Sequence, residues 1–280
     1  MVKRLPEYLK RPIIDTDKTH TVRKILKDNC LNTVCENARC PNKNECYIKN
    51  TATFLIMGNV CTRNCKYCNI SCEKPVPLDF NEPLHIAKAV KALGLKYTVI
   101  TSVTRDDLPD GGASHFAKCI REIKKLTPDV KVEILTPDFK GCKESLDIII
   151  NSRPEVFNHN IETVEDLFKI VRPQGNYQCS LDVLKYVRNN SDIITKSGLM
   201  VGLGETFEDI ERTFLDLKNA GCDIVTVGQY IQPSKKHLEV AKYYTLDEFE
   251  VLKSMAKDAG FENYQIGPLV RSSYKASELV

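Results

Sequence analysis

Cys61-Thr62-Arg63-Asn64-Cys65-Lys66-Tyr67-Cys68 puts three thiols within eight residues, spaced first by three residues and then by two. The run Thr53-Phe54-Leu55-Ile56-Met57 leads into it, and Gly58-Asn59 punctuates the junction. A short apolar run with β-branched and aromatic members, followed by turn residues, predicts a buried strand feeding a loop. Such a loop can wrap three thiolates around one face of an iron–sulfur cube. A cube has four iron corners, so three ligands leave one iron open to another molecule. A zinc site completed by Cys72 is the competing reading, since structural zinc takes four closed ligands. The asymmetric spacing favours iron–sulfur.

Working outward, strands and helices alternate from Thr53 onward. Strands are expected at residues 53–57, 97–101, 130–135, 156–160, 196–201 and 224–227. Between them lie apolar residues at helical spacing, such as Phe116, Ala117, Ile120 and Ile123, or Ile210, Phe214 and Leu217. Thr245-x-x-Glu248 is a capping box for a last helix through Phe249, Leu252 and Ala256. Strands alternating with helices demand a parallel sheet. The sheet closes either as an open doubly wound sheet or as a partial barrel of six βα units. A dinucleotide fold wants Gly-x-Gly-x-x-Gly after its first strand. The only candidate, Gly202-Leu203-Gly204, follows the fifth strand and lacks the third glycine. The fold expected is therefore α/β, a partial (β/α)6 TIM-type barrel with its site at the C-terminal strand ends. Residues 1–50 do not read as a βα unit and are expected to form an N-terminal extension. Residues 51–260 would form the barrel, and 261–280 a C-terminal tail.

The chain has 280 residues and a formal net charge of +3, with acidic and basic residues interspersed. No basic stripe proposes nucleic acid, and no run approaches a membrane span. The stretch Met1–Asp15 is charged and lacks an apolar core; Lys3, Arg4, Lys10 and Arg11 hint at a transit peptide, against which Glu7 and Asp15 stand. Twelve cysteines without an export signal predict reduced thiols or metal ligands in a cytoplasmic setting. Cys30, Cys119, Cys142, Cys179 and Cys222 each stand alone and read as filler. Cys35-x4-Cys40-x5-Cys46 is a second triplet, and its regular spacing in a loop-rich extension again points to ligands, with zinc or buried thiols as the bland readings.

The first triplet, with Tyr67 before its last cysteine, resembles the radical S-adenosylmethionine (SAM) signature. With the second triplet the chain resembles the lipoyl synthases over nearly its whole length. The resemblance is carried by Cys35-Glu36-Asn37-Ala38-Arg39-Cys40-Pro41-Asn42, by Gly58–Cys65, by Thr101-Ser102-Val103-Thr104-Arg105-Asp106-Asp107 through Ala113, and by Gly267-Pro268-Leu269-Val270-Arg271-Ser272-Ser273-Tyr274-Lys275-Ala276. Tyr8 stands where many relatives carry tryptophan, a change between aromatics.

The resemblance implies insertion of two sulfur atoms, at C6 and C8, into an octanoyl chain on a lysine of a lipoyl carrier domain. The carriers would be 2-oxoacid dehydrogenase E2 subunits or glycine cleavage H protein, and the electron donor a flavodoxin or ferredoxin. It implies two 4Fe-4S clusters and SAM. Cys61, Cys65 and Cys68 would hold the cluster that cleaves SAM, and Cys35, Cys40, Cys46 and Ser273 an auxiliary cluster that donates sulfur. Asn160 and Glu162, at the end of the fourth strand, are candidates for SAM binding or for local capping, and no catalytic residue beyond the cluster ligands is expected. Arg172 and Lys196 are weaker candidates for its carboxylate. Arg105, Asp106 and Asp107 would close over substrate or form an ion-paired turn. A different sulfur-inserting radical SAM enzyme, an iron–sulfur electron carrier and a zinc scaffold are the alternatives. An appended basic domain would mark the tRNA-modifying kind of inserter, and six βα units are more than a carrier needs.

Overall fold

The computed structural model describes residues 4–12 and 16–280; Lys3 and Asp15, cited above for the N-terminal stretch, lie outside the described residues. The chain divides into two compact units. The first is Pro12–Arg63 with Asn69–Phe157, and the second is Asn64–Cys68 with Asn158–Val280 and the N-terminal residues through Arg11.

In the first unit α1 (Asp17–Asp28) opens at Thr16, whose side chain accepts from the Thr19 N–H. Strand β1 (Asn32–Thr33) and the short helices α2 (Val34–Asn37) and α3 (Lys43–Ile48) complete this extension. The alternating part follows, with β2 (Thr53–Ile56), a small pair β3 (Val60–Cys61) and β4 (Ser71–Cys72), α4 (Glu82–Ala92), β5 (Tyr97–Ser102), α5 (Ala113–Leu126), β6 (Lys131–Leu135), α6 (Lys143–Ser152) and β7 (Val156–Asn158). The strand order is β1-β2-β5-β6-β7. β1 runs antiparallel to β2, whereas β2, β5 and β6 pair in parallel. Phe54, Ile56, Ile100, Val132 and Ile134 are buried, as are Ile86, Phe116, Ile120 and Ile149 from the helices. That is why the strand sequences read as continuous apolar runs.

The exit from β2 is gripped at three points. Met57 has a φ of 64°. Its N–H donates to the Glu82 carboxylate at 2.8 Å, and that carboxylate also meets His115 Nε2 at 2.7 Å. Arg105 Nη1 donates to the Met57 carbonyl at 3.3 Å. The Met57 side chain lies so close over Gly112 that a Cβ there would sit 2.3 Å from its sulfur. Further along, Arg63 donates to Asp106 from Nε at 2.7 Å and to Asp138 from Nη1 at 2.6 Å, with Nη2 bonding both carboxylates. Burial works against its charge, but the two carboxylates more than offset this and hold the guanidinium above its ordinary pKa. Arg105 in turn binds Asp107 through two bonds, so these residues form the ion-paired turn.

The second unit contains α7 (Glu165–Val171), α8 (Tyr177–Asn190), β8 (Ile194–Val201), α9 (Phe207–Asn219), β9 (Ile224–Gln229), α10 (Leu246–Asp258) and β10 (Asn263–Gly267). β8, β9 and β10 pair in parallel. Thr206 and Thr245 close capping boxes with Asp209 and Glu248, as the Thr245-x-x-Glu248 spacing predicts. Strand β10 was not expected. The Gly202–Gly204 loop has no nucleotide to hold, because the Glu205 carboxylate accepts from the N–H groups of Gly202, Leu203 and Gly204. Among the described residues no helix is long and apolar enough to cross a membrane.

Two stability predictions follow from these contacts. Arg63→Ala leaves the buried Asp138 without its cation, and is expected to lower unfolding stability by about 3–5 kcal/mol. Gly202 has a φ of 101°, and a Cβ there would meet Gln229 Nε2 at 2.1 Å. Gly202→Ala is therefore expected to cost about 2–4 kcal/mol. Urea unfolding followed by circular dichroism measures both; a loss under about 1 kcal/mol for either variant contradicts the corresponding contact.

Candidate functional site

The signature loop is anchored separately in each unit. In the first, Cys61 Sγ accepts from the Arg63 N–H at 3.4 Å and the Thr104 N–H at 3.3 Å. The two amide donors fix where this sulfur lies relative to the backbone of the loop. Thr62 fixes the register by donating to the Thr104 carbonyl from both its N–H and its hydroxyl, while the hydroxyl accepts from the Asp106 N–H. Cys72 is exposed and pairs with Cys61 across β3 and β4. In the second unit, residues 64–68 are held by backbone and side-chain bonds. The Asn64 N–H donates to Gln174 Oε1 at 2.6 Å, the Lys66 N–H to the Val171 carbonyl at 2.9 Å, and His237 Nε2 meets the Cys68 carbonyl at 2.9 Å.

The other triplet lies within the first unit. Cys35 sits on α2 and Cys46 on α3, with Cys40 between the two helices. Burial pushes the Cys35 thiol up to about 12, with repulsion from Cys40 and Cys46 adding to it. Burial and Cys40 likewise push Cys46 up to about 11. The three sulfurs are thus close enough to repel one another as thiolates, and a cationic cluster is what relieves that repulsion. Among the described residues no three His, Cys, Asp or Glu side chains gather tightly enough to chelate one metal ion. A cube asks less of sulfur spacing, because each thiolate takes a different iron. Three thiols gathered in one loop-rich stretch are the donor type that an iron–sulfur cluster takes. Cys119 and Cys222 are core residues.

In the second unit the fourth-strand end carries a connected polar set. Glu162 has a φ of 71° and bridges β8 through its N–H to the Gly198 carbonyl at 2.9 Å and its carbonyl from the Met200 N–H at 2.9 Å. Burial pushes its carboxyl up, while the Arg172 charge and hydrogen bonds from Asn160 and Tyr67 oppose the shift. Asn160 Nδ2 donates to Glu162 Oε1 at 3.2 Å, and Arg172 Nη1 donates to the Asn160 carbonyl at 3.1 Å. The Tyr67 hydroxyl is pushed well up by burial and by the charge of Glu162, to whose carboxylate it donates a hydrogen bond. Lys196 is fully buried on β8. Asn160, Glu162, Arg172 and Tyr67 are thus brought together, and a half-buried carboxylate held this way can receive a ligand ammonium.

Two members of this set escaped the sequence reading. Asn158 Nδ2 donates to Ser272 Oγ at 2.8 Å, and Ser272 Oγ donates to Asn160 Oδ1 at 2.8 Å. Ser273 follows directly and is half-buried. A serine pair in a tail gave no local signal for a partner more than a hundred residues away.

Comparison with known proteins gives a single direction. The Radical SAM superfamily model matches residues 55–217. The lipoyl synthase of Caldicellulosiruptor bescii is 54% identical over 97% of this chain and 94% of its own length. That of Caldanaerobacter subterraneus subsp. tengcongensis is 50% identical over 99% and 97%. Among solved structures, methylornithine synthase (PylB) covers 88% of this chain and 81% of its own, with a TM-score of 0.55 at 13% identity. Streptococcus suis SuiB bound to S-adenosylmethionine covers 80% and 54%, with a TM-score of 0.59 at 14% identity. These likenesses bear out the α/β partial barrel, its sheet mostly parallel and not closed. At about half identity over nearly the full length of curated relatives, and with the radical SAM model covering more than half of it, the chain belongs to the lipoyl synthase family of the radical SAM superfamily.

Proposed function

We propose that the chain converts an octanoyl group, carried on a lysine of a lipoyl carrier domain, into a lipoyl group by inserting sulfur at C6 and C8. The observation that carries this reading is the family membership over nearly the whole chain, together with two cysteine triplets of different spacing. Cys61, Cys65 and Cys68 are the ligands of the SAM-cleaving cluster. Cys35, Cys40, Cys46 and Ser273 are those of the auxiliary one. When bound, these clusters supply the electron that splits SAM into methionine and a 5′-deoxyadenosyl radical, and the sulfur that enters the chain.

The protein's own part is to bind, orient and exclude water. The Glu162 carboxylate, with Tyr67 and Asn160 donating to it, receives the SAM ammonium. Arg172 and Lys196 are set to balance a ligand carboxylate. A radical that attacks nearly any C–H bond requires a preorganised cavity aimed at one carbon. Six buried methylenes contribute on the order of 5 kcal/mol to substrate binding, so the carrier domain itself need bind only transiently. An E2 or H-protein domain is the carrier, a flavodoxin or ferredoxin the reductant, and the cytoplasm the place. The N-terminal extension 1–50, barrel 51–260 and tail 261–280 are the functional divisions.

The two triplets have separate tasks, so their losses should differ in kind. Under strong reductant, Cys65→Ala is expected to abolish 5′-deoxyadenosine formation, while Cys40→Ala retains it and makes no lipoyl product by mass spectrometry. Normal 5′-deoxyadenosine from Cys65→Ala, or lipoyl product from Cys40→Ala, overturns the assignment. Ser273→Ala is expected to behave like Cys40→Ala. An alkoxide suits iron–sulfur chemistry less well than a thiolate, and a weakly matched ligand is readily released when sulfur must leave. Full lipoyl formation by Ser273→Ala rules out that ligand role.

A further inference from the structure

The C-terminal tail crosses a place where two neighbouring strands give up their side chains. Gly198 on β8 pairs with Thr226, and Met200 with Gly228 on β9, so both glycines present the same face. A Cβ at Gly228 would lie 2.1 Å from the Val270 carbonyl oxygen and 3.1 Å from Arg271 Nη1. One at Gly198 would lie 2.5 Å from Thr226 Oγ1, 3.0 Å from Asn160 Oδ1 and 3.4 Å from Ser272 Oγ. Neither glycine has a positive φ; what each position requires is room. Into this notch the tail brings the Ser272 hydroxyl, which accepts from the buried Asn158 and donates to Asn160. From the other end of its carboxamide, Asn160 donates through Nδ2 to Glu162.

From this we infer that Ser272 latches the tail onto the β8–β9 face and, through Asn160, holds the Glu162 carboxylate in its binding position. Ser272 is thus a positioning residue for SAM. The inference rests on the proposed role of Glu162 and extends it: seating of the tail and binding of SAM are one coupled equilibrium. With Ser272 in place the Asn160 carboxamide is oriented, its oxygen toward the serine and its nitrogen toward the carboxylate. Without the serine the amide is free to turn its oxygen toward Glu162, which repels the carboxylate. Coupling of this kind is reciprocal, so SAM must in turn tighten the tail.

The test uses the full iron-loaded chain under anaerobic conditions, as wild type, Ser272→Ala, Asn160→Ala and the double variant. Hydrogen exchange is read over residues 158–162 and 268–280, and the KM for SAM from 5′-deoxyadenosine formation without carrier. Loss of two hydrogen bonds is expected to speed exchange of both segments about tenfold and to raise the KM about tenfold. The kcat for cleavage should stay within about threefold. Because Ser272 acts through Asn160, the double variant should be no worse in KM than Asn160→Ala alone. SAM should slow tail exchange in the wild type and much less in Ser272→Ala. The inference is overturned if the tail loosens while residues 158–162 do not, if the KM stays within twofold, or if the two substitutions add. If the wild type forms no 5′-deoxyadenosine, the proposed function fails instead, and the latch is still decided by exchange of the two segments.

Discussion

Arg63 carries its charge into a buried position, and Asp106 and Asp138 make that tolerable. A buried cation without such partners would be strongly disfavoured. The consequence is local: residue 63 lies inside the signature loop, so fixing its guanidinium fixes the path of the backbone beside Cys61. The Met57 grip acts at the other end of the same segment, holding the N–H, the carbonyl and the side chain of the residue that turns out of β2. Between these two fixed points Cys61 is left with little freedom, and its sulfur already receives two amide donors. The loop is therefore built to hold this sulfur in a fixed place.

The second unit reaches the same end by different means. Its portion of the loop hangs on backbone bonds to Val171 and Leu238, and Tyr67 turns its hydroxyl to Glu162. One aromatic residue of the signature is thus part of the carboxylate's setting, which gives the position before the last cysteine a reason to be a tyrosine in this chain. The polar set runs on from Glu162 through Asn160 and Ser272 to Asn158. The links measure 3.2, 2.8 and 2.8 Å in that order, and every group but the Glu162 carboxylate is neutral. Such a chain orients without adding charge near a cationic ligand.

What could be read from sequence was what is encoded locally. The six alternating strands and the Thr245 cap appear where the patterns put them, because period and capping chemistry are decided within a few residues. The Gly202–Gly204 loop could have been read further, since Glu205 stands beside it and fills the N–H nest that a phosphate would otherwise take. β10 was missed because Asn263-Tyr264-Gln265 is polar and its strand character comes from parallel pairing with β9. Arg63 finds its carboxylates 43 and 75 residues away. Ser272 finds its asparagines 114 and 112 residues away. No spacing rule reports such distances. The cysteine triplets themselves were legible, while the burial that raises Cys35 and Cys46, with Cys40 adding to it, required the folding of α2 and α3.

On the proposed function, one triplet starts the chemistry and the other gives up its sulfur. The most direct test loads the chain with iron and 34S-labelled sulfide, removes unbound sulfide, and adds SAM, strong reductant and an octanoylated carrier domain for a single turnover. Both sulfur atoms of the lipoyl product are then expected to be heavy by mass spectrometry. A lipoyl product carrying sulfur of natural abundance would contradict that reading.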